Sequence, residues 1–273
     1  MIYFLTAMYY EAEPIISYYK MKKVMEAKKF QVFKAIDKLL IISGVGSLKA
    51  SVAVTYILNS FNYKEDDIFI NIGICGAVNE NLCEGQVIMC NKVLDSYANK
   101  ALYPDMLLKH PFSEGTLHSF PKAVMEKVEG DIVDLEGAFF FQTAVMFLKP
   151  HNIYIIKIVS DFLKPESVNS NNIKSLLKRS MPEVLLWIDS ISEEKYDKKN
   201  IFTSDEVCIL DLLVQNLKLT TSMKIELSKL CKHYKLRNRQ LLEKLKSYSE
   251  FKCKSKMEGK KIFGQLRQEL MEL

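Results

Sequence analysis

The sequence predicts an α/β domain, a sheet sandwiched by helices, followed by a C-terminal all-helical appendage. Three observations carry this reading. From residue 1 to about 190, strand-like apolar segments alternate with segments of helical spacing, the pattern of a sheet covered by helices. A charged stretch, SEEKYDKKN at 192–200, then reads as a linker. Beyond it no strand-like segment occurs, and apolar residues recur at helical spacing to Leu273. The two parts are residues 1–191 and residues 200–273.

Each element follows from its local pattern. IYFLTA (2–7) is a short apolar run, a buried strand. EAEPIISYYKM (11–21) is a helix with Pro14 expected in its first turn, the place where a missing N–H is tolerated. QVFKAIDKLLIISG (31–44) reads as a hairpin or two short strands, and SLKASVAVTYILNSF (47–61) as a helix with one apolar face. DIFINIGICGAV (67–78) is a fully buried strand ending in a glycine-bearing turn. GQVIMCNKVLD (85–95) and GTLHSF (115–120) are strands. DLEGAFFFQTAVMFL (134–148) is helical after Glu136, IYIIKIVSDF (153–162) is a strand ending at Ser160-Asp161, and residues 171–191 form a long closing helix. In the tail, helical spacing marks 204–217, 223–234, 237–248 and 259–273, with Ser204 at a helix start and Asp205 and Glu206 suited to its positive end.

Composition narrows the function classes. Apolar residues make up 48% of the 273, a globular proportion. The opening MIYFLTAMYYEAE lacks a basic leader and a small-residue cleavage site, so a first strand is expected rather than a signal peptide. No stretch approaches the roughly 20 apolar residues of a membrane span. The six cysteines are nowhere spaced C-x-x-C and the four histidines are dispersed, which points to reduced thiols in the cytoplasm, with no metal and no cofactor. The net charge of +5 is uneven: Asn200–Leu273 holds 15 Lys/Arg against 9 Asp/Glu, and the remainder 23 against 24.

Few residues could carry chemistry. SGVGSLKA (43–50) lacks the third glycine of a dinucleotide fingerprint. It reads first as a tight strand–helix turn and second as an amide cradle for an anion or sugar oxygen. Cys75 has no recognisable base near it and reads as a small residue in a crowded turn. Glu11, Glu136 and Asp161 each closely follow a buried strand. Singly they are ordinary first-turn acids, but together they would converge beyond the strand ends, where α/β sheets bind ligands. Three acids without a metal suit glycosyl chemistry. Asp134 and Glu136, two residues apart at the mouth of an apolar run, pose the sharper question, because carboxylates are costly to bury.

The blocks AMYYEAE (7–13), ISGVGSLKASVAVTYIL (42–58), INIGICGAVNENLCEGQVIM (70–89), VDLEGAFFFQTA (133–144) and IKIVSDF (156–162) together resemble the purine nucleoside phosphorylase superfamily, nearest to the methylthioadenosine/S-adenosylhomocysteine nucleosidases. The resemblance covers roughly residues 1–190. It implies a three-layer α/β/α sandwich with a central mixed sheet, usually dimeric in the nucleosidases. It puts the water-activating glutamate on Glu11 and the ribose-binding glutamate on Glu136, with Leu135 in place of the methionine under the sugar. Asp134 becomes structural, and Ser160 and Asp161 become the purine-binding pair, Asp161 as proton donor. Gly76 becomes a substrate contact, and Phe120 is the nearest candidate for the base-stacking aromatic. Three departures stand out. Ile74 replaces a serine, Lys157 replaces an arginine, and the stretch before Val133 is shorter than in the family.

The function expected is therefore hydrolysis of the N-glycosidic bond of an adenine nucleoside or thionucleoside by a homodimer. A phosphate-dependent phosphorylase is the runner-up, disfavoured because the first arginine in the chain is Arg179. A third reading is a degenerate nucleoside-binding module whose helical tail recruits a partner. The lysine-rich tail reads first as a solvated helical surface packed on the body or on a second subunit, with nucleic-acid contact the weaker reading.

Overall fold

The computed structural model describes residues 1–164, 170–199, 202–237 and 241–271. It divides into two compact units, Met1–Ile191 and Ser192–Leu273.

The first unit is built on one mixed sheet of ten strands: β1 (Ile2–Thr6), β2 (Lys22–Lys23), β3 (Gln31–Lys34), β4 (Lys38–Ile42), β5 (Ile68–Ala77), β6 (Val87–Asp95), β7 (Lys100–Leu102), β8 (Ser113–Ser119), β9 (Ile132–Asp134) and β10 (Ile153–Asp161). β1 lies parallel between β4 and β5. β5 pairs with β10 and β9, β10 with β6, β6 with β8, and β8 with β9, so these five strands close a circuit. The hairpin of β3 and β4 stands as expected. The short strands β2, β7 and β9 carry too few residues to show a period and were not anticipated.

Helices cover both faces. Alternation along each strand sends Tyr3, Leu5, Leu39, Ile41 and Phe69 to one core, with Val54 and Ile57 of α2 (Ser47–Ser60) and Phe140 and Ala144 of α3 (Gly137–Ala144). Ile2, Phe4, Leu40, Ile70 and Ile72 face the other core, with Ala12 and Ile15 of α1 (Tyr9–Tyr18) and Leu177, Val184 and Ile188 of α4 (Ser170–Lys199). α1 begins earlier than expected, because Glu11 at its third position accepts the Met8 N–H and closes the first turn two residues upstream. Pro14 therefore sits in the second turn, not the first. α3 ends at Ala144, short of the expected Leu148, where the chain must turn before Pro150 and enter β10. The charged stretch read as a linker is helical instead, as α4 runs to Lys199, and Asn200 lies outside the described residues.

The second unit is helical: α5 (Ser204–Asn216), α6 (Thr221–Arg237), α7 (Leu241–Ser249) and α8 (Lys256–Met271). Thr203, one residue before Ser204, is the cap of α5: its hydroxyl accepts the Glu206 N–H while Glu206 accepts the Thr203 N–H. Positions 238–240, expected as the start of the third tail helix, and 272–273 lie outside the described residues. The unit has its own apolar core of Leu213, Leu217, Leu241, Leu245, Phe263, Leu266 and Leu270. Gly259 lets α8 cross the chain at Leu217, where a Cβ would lie 1.8 Å from the Leu217 carbonyl oxygen. Among the described residues no helix is long and apolar enough to cross a membrane.

Candidate active site

β1 ends at Thr6, and the turn that follows leaves the amides of Ala7 and Met8 without strand partners. Glu11 folds back from α1 to take both, with Oε2 2.9 Å from the Ala7 nitrogen and 2.8 Å from the Met8 nitrogen. Its Oε1 accepts the Ile74 N–H from β5 at 3.0 Å. Gly73 makes this approach feasible: a Cβ there would meet Glu11 Oε1 at 3.0 Å and Lys157 Nζ at 3.5 Å. Burial raises the Glu11 pKa above the usual carboxylate range, against the opposing pull of the three amides and Lys157.

Lys157 stands mid-strand on β10, in register with Gly73, and is 1% exposed. Its Nζ lies 2.8 Å from Asp134 Oδ2. Burial pulls the ammonium pKa down, but the charges of Asp134, Glu136 and Glu11 outweigh this and leave it raised. Asp134 also accepts the Ser119 hydroxyl at 2.5 Å and the Gly137 N–H at 2.8 Å. The question posed by the acidic pair is thereby half answered. Asp134 is a structural acid, pinning the start of α3 and neutralising a buried ammonium.

Glu136 precedes α3 and is buried at 7% exposure. Its Oε1 accepts the Gly46 N–H at 2.7 Å. Gly46 (φ +110°) holds the left-handed turn that aims this amide at the carboxylate, and Ser47 ties the same turn to the Leu135 carbonyl at 2.7 Å. Burial, then the neighbouring Asp134 charge, pushes the Glu136 carboxyl up to about 7, despite Lys157 and the Gly46 amide.

At the end of β10 the register with β5 shifts between Val159 and Asp161, an irregularity of the kind that re-aims a side chain. Asp161 Oδ1 accepts the Lys164 N–H at 2.9 Å. The Ser160 hydroxyl lies 2.9 Å from Asp161 Oδ2 and 3.0 Å from the Cys75 carbonyl oxygen.

Glu11, Glu136 and Asp161 all line one cavity of about 260 Å³, together with Leu135, Ser160 and Gly76. Six of the seven residues singled out from the sequence thus share one space. Phe120 is not among the lining residues. Its ring packs on His118 with centroids 4.1 Å apart, and its N–H is held by the Asp134 carbonyl. The chain past Phe120 supplies the wall instead, through Lys122, Ala123 and Val124. Met8, Val45, Leu163 and Ile173 also line the cavity, and no local pattern marked them. Cys75 is buried there with its thiol held well above the ordinary range, chiefly by burial, which makes it a poor nucleophile at neutral pH. Among the described residues no group of three acids, histidines or cysteines is arranged to hold a metal.

The charges determine what this site can do. Three buried acids, Glu11, Asp134 and Glu136, face one buried ammonium. Asp134 takes Lys157, and the remaining two are both raised, Glu136 to about 7, so a carboxyl able to exchange a proton near neutral pH sits against a ligand-sized space.

Known proteins resemble this chain in sequence and in fold. The family described as the Phosphorylase superfamily matches residues 2–121. A 5′-methylthioadenosine/S-adenosylhomocysteine nucleosidase of Buchnera aphidicola subsp. Schizaphis graminum is 32% identical over 110 residues, 40% of this chain and 42% of that protein. The chain thus matches under half the length of this curated relative. Among solved structures, the Neisseria meningitidis 5′-methylthioadenosine/S-adenosylhomocysteine nucleosidase in complex with methylthio-immucillin-A has a TM-score of 0.56 at 20% identity, over 67% of this chain and 96% of that one. A futalosine hydrolase mutant from Helicobacter pylori strain 26695 has a TM-score of 0.54 at 14% identity, over 71% and 98%. These structures share the central mixed sheet. The likeness to the Phosphorylase superfamily in sequence covers residues 2–121, and the likeness to these structures is one of fold.

Proposed function

We propose that this protein, a three-layer α/β/α sandwich of the nucleoside phosphorylase kind, hydrolyses the N-glycosidic bond of an adenine nucleoside or thionucleoside. The observation that carries the reading is the meeting of Glu11, Glu136 and Asp161, from three separate parts of the chain, in one cavity. Asp161 donates a proton to the purine, so the base leaves neutral as the C1′–N bond breaks. Glu11 takes a proton from the water that bonds to C1′. Glu136, with one oxygen on the Gly46 amide, accepts sugar hydroxyls with the other. That completes the answer to the acidic pair: Asp134 holds the scaffold and Glu136 holds the ligand. Lys157 keeps the acid cluster from accumulating charge.

Phosphorolysis is the second reading, and one observation weighs against it. In the Gly44–Ser47 turn that could cradle a phosphate, the Gly46 amide is already bonded to Glu136, and the nearby amides of Ala7, Met8 and Ile74 are bonded to Glu11. The deciding experiment incubates the protein with methylthioadenosine, adenosine and inosine, with and without phosphate, and measures free base. Base released without phosphate supports hydrolysis, and release only with phosphate supports phosphorolysis. Binding without release supports a nucleoside-binding module. A homodimer is proposed as the working assembly, to be checked by light scattering.

A further inference from the structure

The helical unit distributes its cations unevenly. Lys224 pairs with Asp211, Lys235 with Glu206, Lys244 with Glu269 and Arg267 with Glu226. In contrast, Lys252, Lys254, Lys256, Lys260 and Lys261 fall within ten residues, are all exposed, and have no side-chain ion pair among the described residues. The one acid in that run, Glu258, is occupied locally, with its carboxylate on the Lys254 N–H at 2.8 Å. Lys218 adds a further positive charge by reaching the Lys254 carbonyl oxygen at 2.8 Å. Three of these lysines lie in the first six residues of α8. Phe251, 49% exposed, stands beside the run.

We infer that the Lys252–Lys261 surface binds the sugar–phosphate backbone of a nucleic acid without reading its bases. Flexible point charges along a turn and a helix face suit a row of phosphates. An anionic membrane fits less well, because the apolar face of α8 (Phe263, Leu266, Leu270) is already buried in the unit's own core and has nothing to insert. This inference does not depend on the proposed hydrolysis.

The test is fluorescence anisotropy of the full chain with a labelled mixed-sequence single-stranded RNA of about 30 nucleotides and a mixed-sequence DNA duplex of similar length. Contact with about five phosphates predicts that affinity for the single strand falls about 100-fold between 50 and 200 mM salt. Replacing Lys252, Lys256, Lys260 and Lys261 by Gln should weaken binding at least about 10-fold and flatten the salt slope by about three, with the helical circular dichroism unchanged. A control variant removes the same charge elsewhere, with Lys22, Lys23, Lys28 and Lys29 changed to Gln, and should retain binding. Equal losses in both variants would reduce the effect to net charge and overturn the assignment. So would absence of binding at low salt, or equal affinity for polyglutamate or phosphatidylserine vesicles.

Discussion

In the N-terminal unit Lys157 and Asp134 meet at 2.8 Å with side chains 2% and 1% exposed. In the C-terminal unit Lys224 and Asp211 meet at 3.3 Å with side chains 56% and 58% exposed. The residue types are the same, but the solvent is not. Water screens the second pair almost completely, whereas the first sits where an unpaired charge would be severely penalised. The contrast extends to the units themselves. The helical unit buries an apolar core and keeps its charges outside, with Glu206 the exception among its described residues. The α/β unit buries Glu11, Asp134, Glu136 and Lys157 together, an arrangement that packing alone does not require. Where a protein buries charge in this way, chemistry is the first explanation to test.

That comparison can be broken or sharpened at several points. Asp161→Asn should lower base release about 10²–10⁴-fold under saturating substrate with the melting temperature close to wild type, and Glu11→Gln should lower it as much while also lowering the melting temperature, because one side of the new amide meets backbone N–H groups that the carboxylate accepted. Unchanged turnover in either would remove that residue from the reaction. Lys157→Met leaves Asp134 buried and unpaired and should cost about 3–5 kcal/mol in urea denaturation. A loss below 1 kcal/mol would mean the buried pair is no different from an exposed one. Gly259→Val should cost about 3 kcal/mol, because its Cβ would fall 1.8 Å from the Leu217 carbonyl oxygen. Hydrogen exchange should show α5–α8 opening while β5 and β10 stay protected, and equal protection in the two units would erase that contrast.

Glu136 gives a pH signature. Its carboxyl is raised in the folded state from 4.5 to about 7, so the stability it contributes is full below 4.5 and is lost as pH rises through about 7. Glu136→Gln should flatten the fall in stability across that window by an amount on the order of 2 kcal/mol. Ligand binding runs the other way, strengthening as the carboxylate forms, and titration calorimetry from about pH 5 to 8 would expose the opposite slopes. Last and smallest, Lys224→Met should change stability by less than about 1 kcal/mol.

Much of the fold was legible because burial imposes a period. The strands expected at 67–78 and 153–162 and the helix expected at 47–61 form within one residue of those bounds. Three acids were legible too, since each closely follows a strand. Other features depend on distances the chain does not record. Lys157 reaches Asp134 across the sheet, and Gly73 matters only because Glu11 and Lys157 crowd it. Phe120 was a misreading of this kind: a loosely placed aromatic near the right strand, which folding directs onto His118 while residues 122–124 take the wall. Pro14 was misplaced because the signal that starts α1 is a backbone hydrogen bond to Glu11, invisible until the turn is built.

The strand circuit has a consequence for how the chain is made. Phe69 on β5 waits for Ile153 on β10, and β6 waits for the same strand from its other side. Until β10 leaves the ribosome, two long apolar edges stay unpaired, open to any neighbouring chain. Synthesis must therefore run past Asp161 before the domain can seal, which makes folding slow and assigns the greatest risk of clumping to the half-finished polypeptide.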